Sequence, residues 1–182
     1  MATQPADLRM SLAEFFDWDD GTDARYELID GRVVAMAPPS PRHSAITGQL
    51  ARIIGNGLAP PCRVFVEAGI VTPARADTYL QADLAVSCRP LDQQDRGVAE
   101  PVLVVEVESP GTVRHDRGVK VDRYRELPSV QEILLVATTE RRVQLWRREA
   151  SRWSVEDVIG DAVLRLESCA LEIPLADLYA GL

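Results

Sequence analysis

The segment at residues 102–107 constrains the fold of this chain more than any other, because it predicts a strand that is apolar on both faces. Its apolar side chains alternate between the two faces, with Leu103, Val105 and Val107 on one and Val102 and Val104 on the other. Strands of this kind occur in sheets that are covered on both sides. The sequence therefore predicts a central strand packed between two layers.

Two acidic residues interrupt apolar strands. Glu106 lies in the segment just described, and Asp83 interrupts the apolar run at residues 82–86. An unpaired carboxylate in or beside a core is costly, so each needs a partner. Neighbouring strands lie about 4.8 Å apart, and two carboxylates on the same face can share a hard cation such as Mg²⁺. For either acid alone, a charge at a strand end that reaches solvent is the simpler interpretation.

Periodicity and turn residues predict a mixed α/β (α+β) fold, in which helices flank a core sheet that carries additional β-hairpins. Helices are expected at residues 11–18, 40–58, 116–127 and 174–179. Strands are expected at residues 25–37 (a hairpin turning at Asp30-Gly31), 63–72, 78–86, 101–108, 131–138 and 141–148, with a further strand pair around Trp153 and Leu164. With no repeat or linker visible, residues 1–182 are expected to form one domain.

The sequence also indicates the cellular compartment in which the protein is expected. No apolar run approaches the roughly 18 residues of a membrane span, and residues 1–10 lack the pattern of a secretory signal. We therefore expect a cytoplasmic protein without membrane contact. The three cysteines, Cys62, Cys88 and Cys169, are widely spaced and form no CxxC motif. This spacing argues against disulfides and zinc, and predicts small core residues.

The net charge of −8 is unusual for a nucleic-acid enzyme, because affinity for phosphate comes largely from Lys and Arg. Ten of the 20 basic residues, however, lie between Arg114 and Arg152, so one side of the molecule could be locally positive. Lys120 is the only lysine among them. Unlike arginine, a lysine can lose its proton when buried, so its position needs a reason.

Asp116, Lys120 and Tyr124 fall at intervals of four on the predicted helix and share one face. The simplest interpretation is a surface ion pair between Asp116 and Lys120, which would be worth only about 0.3–0.5 kcal/mol. Only residues 109–111 separate the Glu106 strand from the approach to this helix. We therefore expect the helix to pack close to the acidic residues.

Five short motifs occur in order along the chain, and together they resemble the Uma-two family of the PD-(D/E)XK nuclease superfamily, a resemblance that runs from about residue 27 to residue 146. They are Tyr26-Glu27-Leu28-Ile29-Asp30-Gly31, residues 38–43, Ala82-Asp83, Glu106-Val107-Glu108-Ser109-Pro110, and the series Asp116, Lys120, Tyr124. Each motif is weak by itself, and the resemblance rests on their ordered co-occurrence.

The resemblance implies a restriction-endonuclease-like core in which Asp83 and Glu106 hold Mg²⁺ or Mn²⁺. The superfamily lysine normally follows its acid by two residues. Here Glu108 occupies that position, and Lys120 on the next helix is similar to the displaced lysine of the family. Ala82 replaces the usual Pro, and Glu108 replaces a usually apolar residue. Glu108 could join the metal shell, repel substrate or point to solvent.

The same resemblance implies further site residues. Glu27 would approach as another acidic ligand, or else be an exposed strand acid. His43 would contact substrate or metal, or else be a capping or core histidine. Independently of the resemblance, His115 is flanked by Arg114 and Arg117, and the three are expected to form a phosphate-contacting basic patch. We also expect Tyr124, on the lysine face, to contribute to substrate binding.

These expectations together describe a Mg²⁺-dependent phosphodiesterase, a DNA endonuclease in which Lys120 orients or deprotonates water. A homodimer is expected, because nucleases that cut both strands often pair. Two alternatives remain open at this point: a nuclease-fold module that binds nucleic acid or protein without catalysis, and a metal hydrolase of small phosphoesters. No base-reading element is recognisable, so the sequence names no target.

Overall fold

The computed structural model describes residues 9–72, 74–108 and 116–182. Its helices are α1 (Leu12–Asp17), α2 (Pro41–Gly57), α3 (Val121–Glu126) and α4 (Leu175–Leu178), with a π-helical turn at Asp116–Lys120 and a 3₁₀ turn at Glu167–Cys169. Its strands are β1 (Tyr26–Ile29), β2 (Arg32–Ala35), β3 (Arg63–Val71), β4 (Tyr79–Ser87), β5 (Pro101–Glu108), β6 (Glu132–Ala137), β7 (Arg142–Glu149), β8 (Arg152–Ile159), β9 (Val163–Leu166) and β10 (Leu171–Pro174).

One large mixed sheet organises the described residues. Its strand order is β2-β1-β4-β5-β6-β7-β8, with β3 pairing with β4. Strands β5 and β6 are parallel, and α3 lies in the connection between them, as a parallel pair requires a crossover. The other strand pairs of this sheet are antiparallel. This architecture confirms the predicted mixed α/β class.

The sheet is covered on both faces. Helix α2, the β9–β10 pair and α4 cover one face, where they bury Leu103, Val105 and Val107 of β5. Helix α3 covers the other face, over Val104 of the same strand. The prediction that β5 is a central, doubly covered strand is confirmed.

Local signals place the ends of several elements correctly. The side chain of Ser40 accepts a hydrogen bond from the His43 amide and so begins α2, with Pro41 in its first turn. Asp30 and Gly31 both adopt positive φ, 49° and 80°, as a two-residue turn between β1 and β2 demands. The helix predicted at residues 116–127 is present, but its first turn is π-helical.

Two expectations were wrong. The strands at Trp153 and Leu164 do not pair with each other, because β8 adds to β7 while β9 pairs with β10. Cys62 and Cys88 form a disulfide instead of remaining separate core thiols. They lie immediately before β3 and after β4, whose pairing of Arg63 with Ser87 brings these ends together. Cys169 is a free thiol packed against the core.

Helices within the described ranges are all too short or too polar to cross a lipid bilayer.

Candidate functional site

One cleft of about 470 Å³ contains every residue for which a catalytic role was predicted. These residues are Glu27, His43, Asp83, Glu106 and Lys120. They come from β1, the first turn of α2, β4, β5 and the end of the π-helical turn. Residues far apart in the sequence therefore meet in one place, and each is held there by specific contacts.

Lys120 lies at the centre of the polar contacts in the cleft. Its Nζ is 2.8 Å from Glu27 Oε1 and 3.1 Å from Glu106 Oε1, and it donates to the Gln81 carbonyl at 3.1 Å. The side chains of Lys120, Glu27 and Glu106 are each exposed by 5% or less. Glu27 Oε1 also accepts a hydrogen bond from the Gln81 amide at 2.7 Å. The ammonium group is thus compensated by two buried carboxylates.

Tyr124 lies beneath Glu106, one helical turn after Lys120. Its hydroxyl donates to Glu106 Oε1 over 2.5 Å, and its side chain is fully buried. The i, i+4 spacing of Lys120 and Tyr124 delivers both donors to the same carboxylate oxygen. A ring without exposed surface cannot reach substrate in this structure, so the geometry gives Tyr124 a supporting position under Glu106.

Asp83 is held by two donors of different kinds. Its Oδ2 accepts a hydrogen bond from the Val107 amide at 2.7 Å and lies 3.2 Å from His43 Nε2. Thr47, one turn after His43, lies 3.5 Å from the other ring nitrogen. Both contacts of Asp83 among the described residues thus involve the same carboxylate oxygen, Oδ2. This oxygen is therefore fixed by the protein.

The β3–β4 ladder is interrupted beside Asp83. Glu67 on β3 has a positive φ of 52°, and the pairing omits the position at which Glu67 would face Asp83, although the register is the same on both sides of it. The β4–β5 ladder ends at Leu84 and Val105, so Asp83 and Glu106 are the next residues on two adjacent strands.

The β1–β2 turn is fastened to α3. Both carboxylate oxygens of Asp30 accept hydrogen bonds from Arg123, at 3.0 and 2.8 Å, and Arg75 adds a third bond at 2.8 Å. The hydrogen bond from Arg123, together with the charges of both arginines, lowers the pKa of Asp30 below its ordinary value. Because Glu27 lies on β1 and Lys120 precedes α3, this contact supports their alignment.

The cleft residues have the chemistry of a hard-cation site. Asp83 and Glu106 offer carboxylate oxygens, which Mg²⁺ prefers, and Mg²⁺ is usually bound by one or two carboxylates with waters or phosphate completing its shell. Within the described ranges no three His, Cys, Asp or Glu residues are grouped closely enough to form a complete protein cage. Asp83 and Glu106 are the two predicted ligands in the cleft that could contribute carboxylate oxygens to such a shell.

Of the remaining predicted site residues, Glu108 is not among those that line the cleft. It is buried, and its Oε2 lies 3.9 Å from Arg142 Nη2. Arg114 and His115 lie outside the described residues, and Arg117 is described only as backbone in the π-helical turn.

The arginines later in the sequence were expected to make one side of the molecule positive. Most of them form ion pairs with acidic side chains instead. Arg123, Arg141, Arg142 and Arg147 all form ion pairs.

Sequence reasoning missed two contributors to the site. The main-chain carbonyl of Gln81 accepts from Lys120, and no residue-type signal could have found it, because every residue carries a carbonyl. Thr47 is different: its i+4 spacing from His43 on a predicted helix was visible in the sequence.

Comparison with known proteins agrees with the fold. A protein-family model, Uma2, described as "Putative restriction endonuclease", matches residues 12–176. The crystal structure of a protein from Anabaena variabilis, described as a putative nuclease belonging to DUF820, superposes with a TM-score of 0.74 at 21% identity, covering 94% of this chain and 98% of that one. The structural likeness identifies a nuclease-like α/β fold.

Two uncharacterized proteins of Synechocystis are also similar. Protein slr1290 is 29% identical over 177 residues, covering 96% of this chain and 93% of its own length. Protein sll1609 is 24% identical over 157 residues, covering 84% of this chain and 89% of its own length. Because the family model spans nearly the whole chain, the chain belongs to the Uma2 family.

Proposed function

We propose that this protein is a metal-dependent phosphodiesterase that cuts nucleic acid, with DNA as its substrate and Mg²⁺ or Mn²⁺ as its cation. The observation that carries the proposal is the buried Lys120 ammonium, held between Glu27 and Glu106 in a cleft that also contains Asp83. The description of the Uma2 family as "Putative restriction endonuclease" supports the same reaction class.

The charge of this cluster favours a divalent cation. Three carboxylates, Asp83, Glu106 and Glu27, face one ammonium group, which leaves a formal charge of −2 when His43 is neutral. Excess negative charge would repel a phosphodiester unless a cation compensated it. Asp83 and Glu106 would hold that cation, which supplies neutralisation of phosphate charge and acidification of water.

The protein's own groups perform the positioning. Lys120 would orient the attacking water and stabilise the charge that accumulates on the phosphoryl group. Glu27 and the Gln81 carbonyl hold the lysine amine, so that it does not swing into solvent. Tyr124 restrains Glu106, while the Val107 amide restrains Asp83. A site fixed in this way loses little energy to reorganisation during reaction.

Nucleic-acid contact beyond the cleft is proposed for Arg114, His115 and Arg117, by their basic character alone. Cutting both strands of a duplex would be served by two copies of the chain. The cytoplasm, where such a substrate is accessible, is the compartment we propose.

The direct test compares Asp83→Asn with a matched Asp161→Asn control. Asn can still accept the Val107 amide bond but lacks the charge that a cation needs, whereas the Asp161 side chain is 85% exposed and pairs only with Arg141 among the described residues. Supercoiled duplex, single-stranded and branched DNA, RNA and a small diester are incubated with increasing Mg²⁺ or Mn²⁺. We expect cation-dependent cleavage by the wild type and the control. In Asp83→Asn we expect a loss of about a hundredfold or more, as removal of a group that stabilises the transition state typically causes.

Absence of cleavage from all substrates at millimolar Mg²⁺ and Mn²⁺, or full activity in Asp83→Asn, would contradict the proposal. A Lys120→Arg variant refines it, because arginine supplies charge but does not transfer a proton. We expect this variant to remain folded and to lose turnover.

The second candidate is a nuclease-fold binding module without catalysis. It is favoured by the net charge of −8. Calorimetry with Mg²⁺ separates the two functions, because only the hydrolase requires binding that is lost in Asp83→Asn.

A further inference from the structure

Strand β8 forms one end of the large sheet and has a free edge. It pairs with β7 along its whole length, and within the described ranges of the chain no strand lies on its other side. The Gly160 amide donates to the Arg141 carbonyl at 2.9 Å, so these two residues form a hydrogen-bonded pair. Hydrogen-bonded and non-hydrogen-bonded pairs then alternate along β7 and β8. By this alternation, Trp153, Val155 and Asp157 direct their amide and carbonyl groups outward.

The side chains along this edge combine exposed apolar residues with charges. Val155 and Ile159 are 48% and 58% exposed on the same strand face, and Trp153 lies beside them, partly buried. Natural edge strands usually avoid pairing through central charges, prolines or bulges. Strand β8 lacks proline, and its charged residues are Arg152 at its beginning and Glu156 and Asp157 in its second half. Asp157 pairs with Arg142 on the neighbouring β7.

We propose that β8 binds β8 of a second copy of this chain, antiparallel and about a two-fold axis through Ser154. In this register Arg152 of each copy faces Glu156 of the other, so two oppositely charged pairs form. Trp153 of each copy faces Val155 of the other, an aromatic and β-branched combination that stabilises strand pairs. Trp153 of one copy and Val155 of the other both direct their amide and carbonyl groups outward, so they can form hydrogen-bonded pairs across the interface.

Other two-fold registers are less favourable. An axis through Val155 creates no oppositely charged pair. Axes through Glu156 or Asp157 place identical carboxylates directly opposite each other, which is destabilising. Charge complementarity therefore selects Ser154 as the centre.

This pairing goes beyond the proposed hydrolysis and does not depend on it. Strand β8 is three strands away from β5, which carries Glu106. Variants on β8 can therefore test dimerisation without altering the cleft.

The first experiment measures the mass of the whole protein by light scattering across a concentration series. The chain has a mass of 20.1 kDa, so a dimer gives about 40 kDa. Arg152→Glu should raise the dimer dissociation constant about tenfold or more, because both cross-copy pairs become repulsive. The double variant Arg152→Glu/Glu156→Arg exchanges the charges and should restore dimerisation. An edge lysine, Val155→Lys, should abolish it.

The second experiment tests the register. Ser154 would lie opposite itself in a non-hydrogen-bonded pair, with Cα atoms about 4.5 Å apart, so Ser154→Cys should form a disulfide-linked dimer under mild oxidation. Ser151→Cys, in the turn before β8, would face Asp157 of the other copy and should not cross-link. Far-UV circular dichroism verifies that each variant is folded.

A monomer at all concentrations up to several hundred micromolar would overturn the proposal. So would a dimer whose dissociation constant is unchanged in folded Arg152→Glu and Val155→Lys, since it would use another surface. Failure of the charge exchange to restore dimerisation, or equal cross-linking at residues 151 and 154, would overturn the register. None of these results bears on whether the cleft hydrolyses phosphodiesters.

Discussion

Replacement of Lys120 by methionine tests the central feature of the cleft. Methionine preserves most of the side-chain length but removes the ammonium group that contacts Glu27, Glu106 and the Gln81 carbonyl. Because these side chains are 4–5% exposed, the substitution would leave the carboxylates of Glu27 and Glu106 buried without the ammonium group that compensates them. Removal of one member of a buried ion pair typically costs about 3–5 kcal/mol. Against a total stability of about 5–15 kcal/mol, this is a large loss.

The assay is equilibrium unfolding in urea, with the midpoint and slope fitted together. For a chain of this length, a loss of about 3–5 kcal/mol corresponds to a fall in Tm of about 6–20 °C. The matched control is Arg165→Met. Arg165 contacts Glu172 at 2.9 Å, but both side chains are about two-thirds exposed. An exposed pair is worth about 0–1 kcal/mol, so the control should lose no more than that.

A double variant, Glu27→Gln/Lys120→Met, isolates the cause. The glutamine side chain introduced at position 27 can still accept the Gln81 amide bond but carries no charge. The double variant should therefore be more stable than Lys120→Met by about 1–3 kcal/mol. A loss below about 1 kcal/mol in Lys120→Met would refute the reasoning, which rests on a cost of about 3–5 kcal/mol. Strict additivity of the two substitutions would do the same, because it would mean that Lys120 and Glu27 do not interact.

Three further predictions concern other contacts. Tyr124→Phe should cost about 1.5–3 kcal/mol in urea unfolding, because it removes a buried hydrogen bond to charged Glu106, and it should also slow cleavage. Asp30→Asn should be less stable than the wild type at pH 7. Since the folded-state pKa of Asp30 is lowered, its stabilisation exists above the unfolded pKa of about 3.9 and disappears as pH falls through the lower folded value, so acid titration should bring the two proteins together. Burial raises the pKa of Tyr179 to about 12, so its contribution to stability is complete below pH about 10 and is lost as pH rises toward 12. Tyr179→Phe should therefore show a weaker alkaline loss of stability, and an unchanged alkaline limb would contradict this assignment.

Elements with local signals were predictable from the sequence. Strand β5 occupies the residues expected from its doubly apolar pattern, and the Asp30-Gly31 turn joins β1 to β2 as expected. Helix α2 begins after its Ser40 cap. These features depend on side-chain periodicity, capping and backbone preference within a few residues, so the information lies in the local sequence.

The candidate site was predictable only as a set of residues. Asp83 and Glu106 drew attention because they are charged within apolar strands, and Lys120 because it is the only lysine. The sequence did not indicate that Lys120 would contact Glu27, or that Glu108 would lie toward Arg142 instead of the cleft. Those outcomes depend on how the π-helical turn and β7 pack against β5.

What the sequence by itself determined is therefore the class of fold and the residues able to perform chemistry. Tertiary structure decided which of them meet. The Cys62–Cys88 disulfide arises because the pairing of β3 with β4 brings together residues 26 apart, and the cleft forms only where β1, α2, β4, β5 and the π-helical turn meet. Such contacts are set by strand register and by packing between distant segments. A local pattern constrains neither, because the same strands in a shifted register would present different side chains to one another.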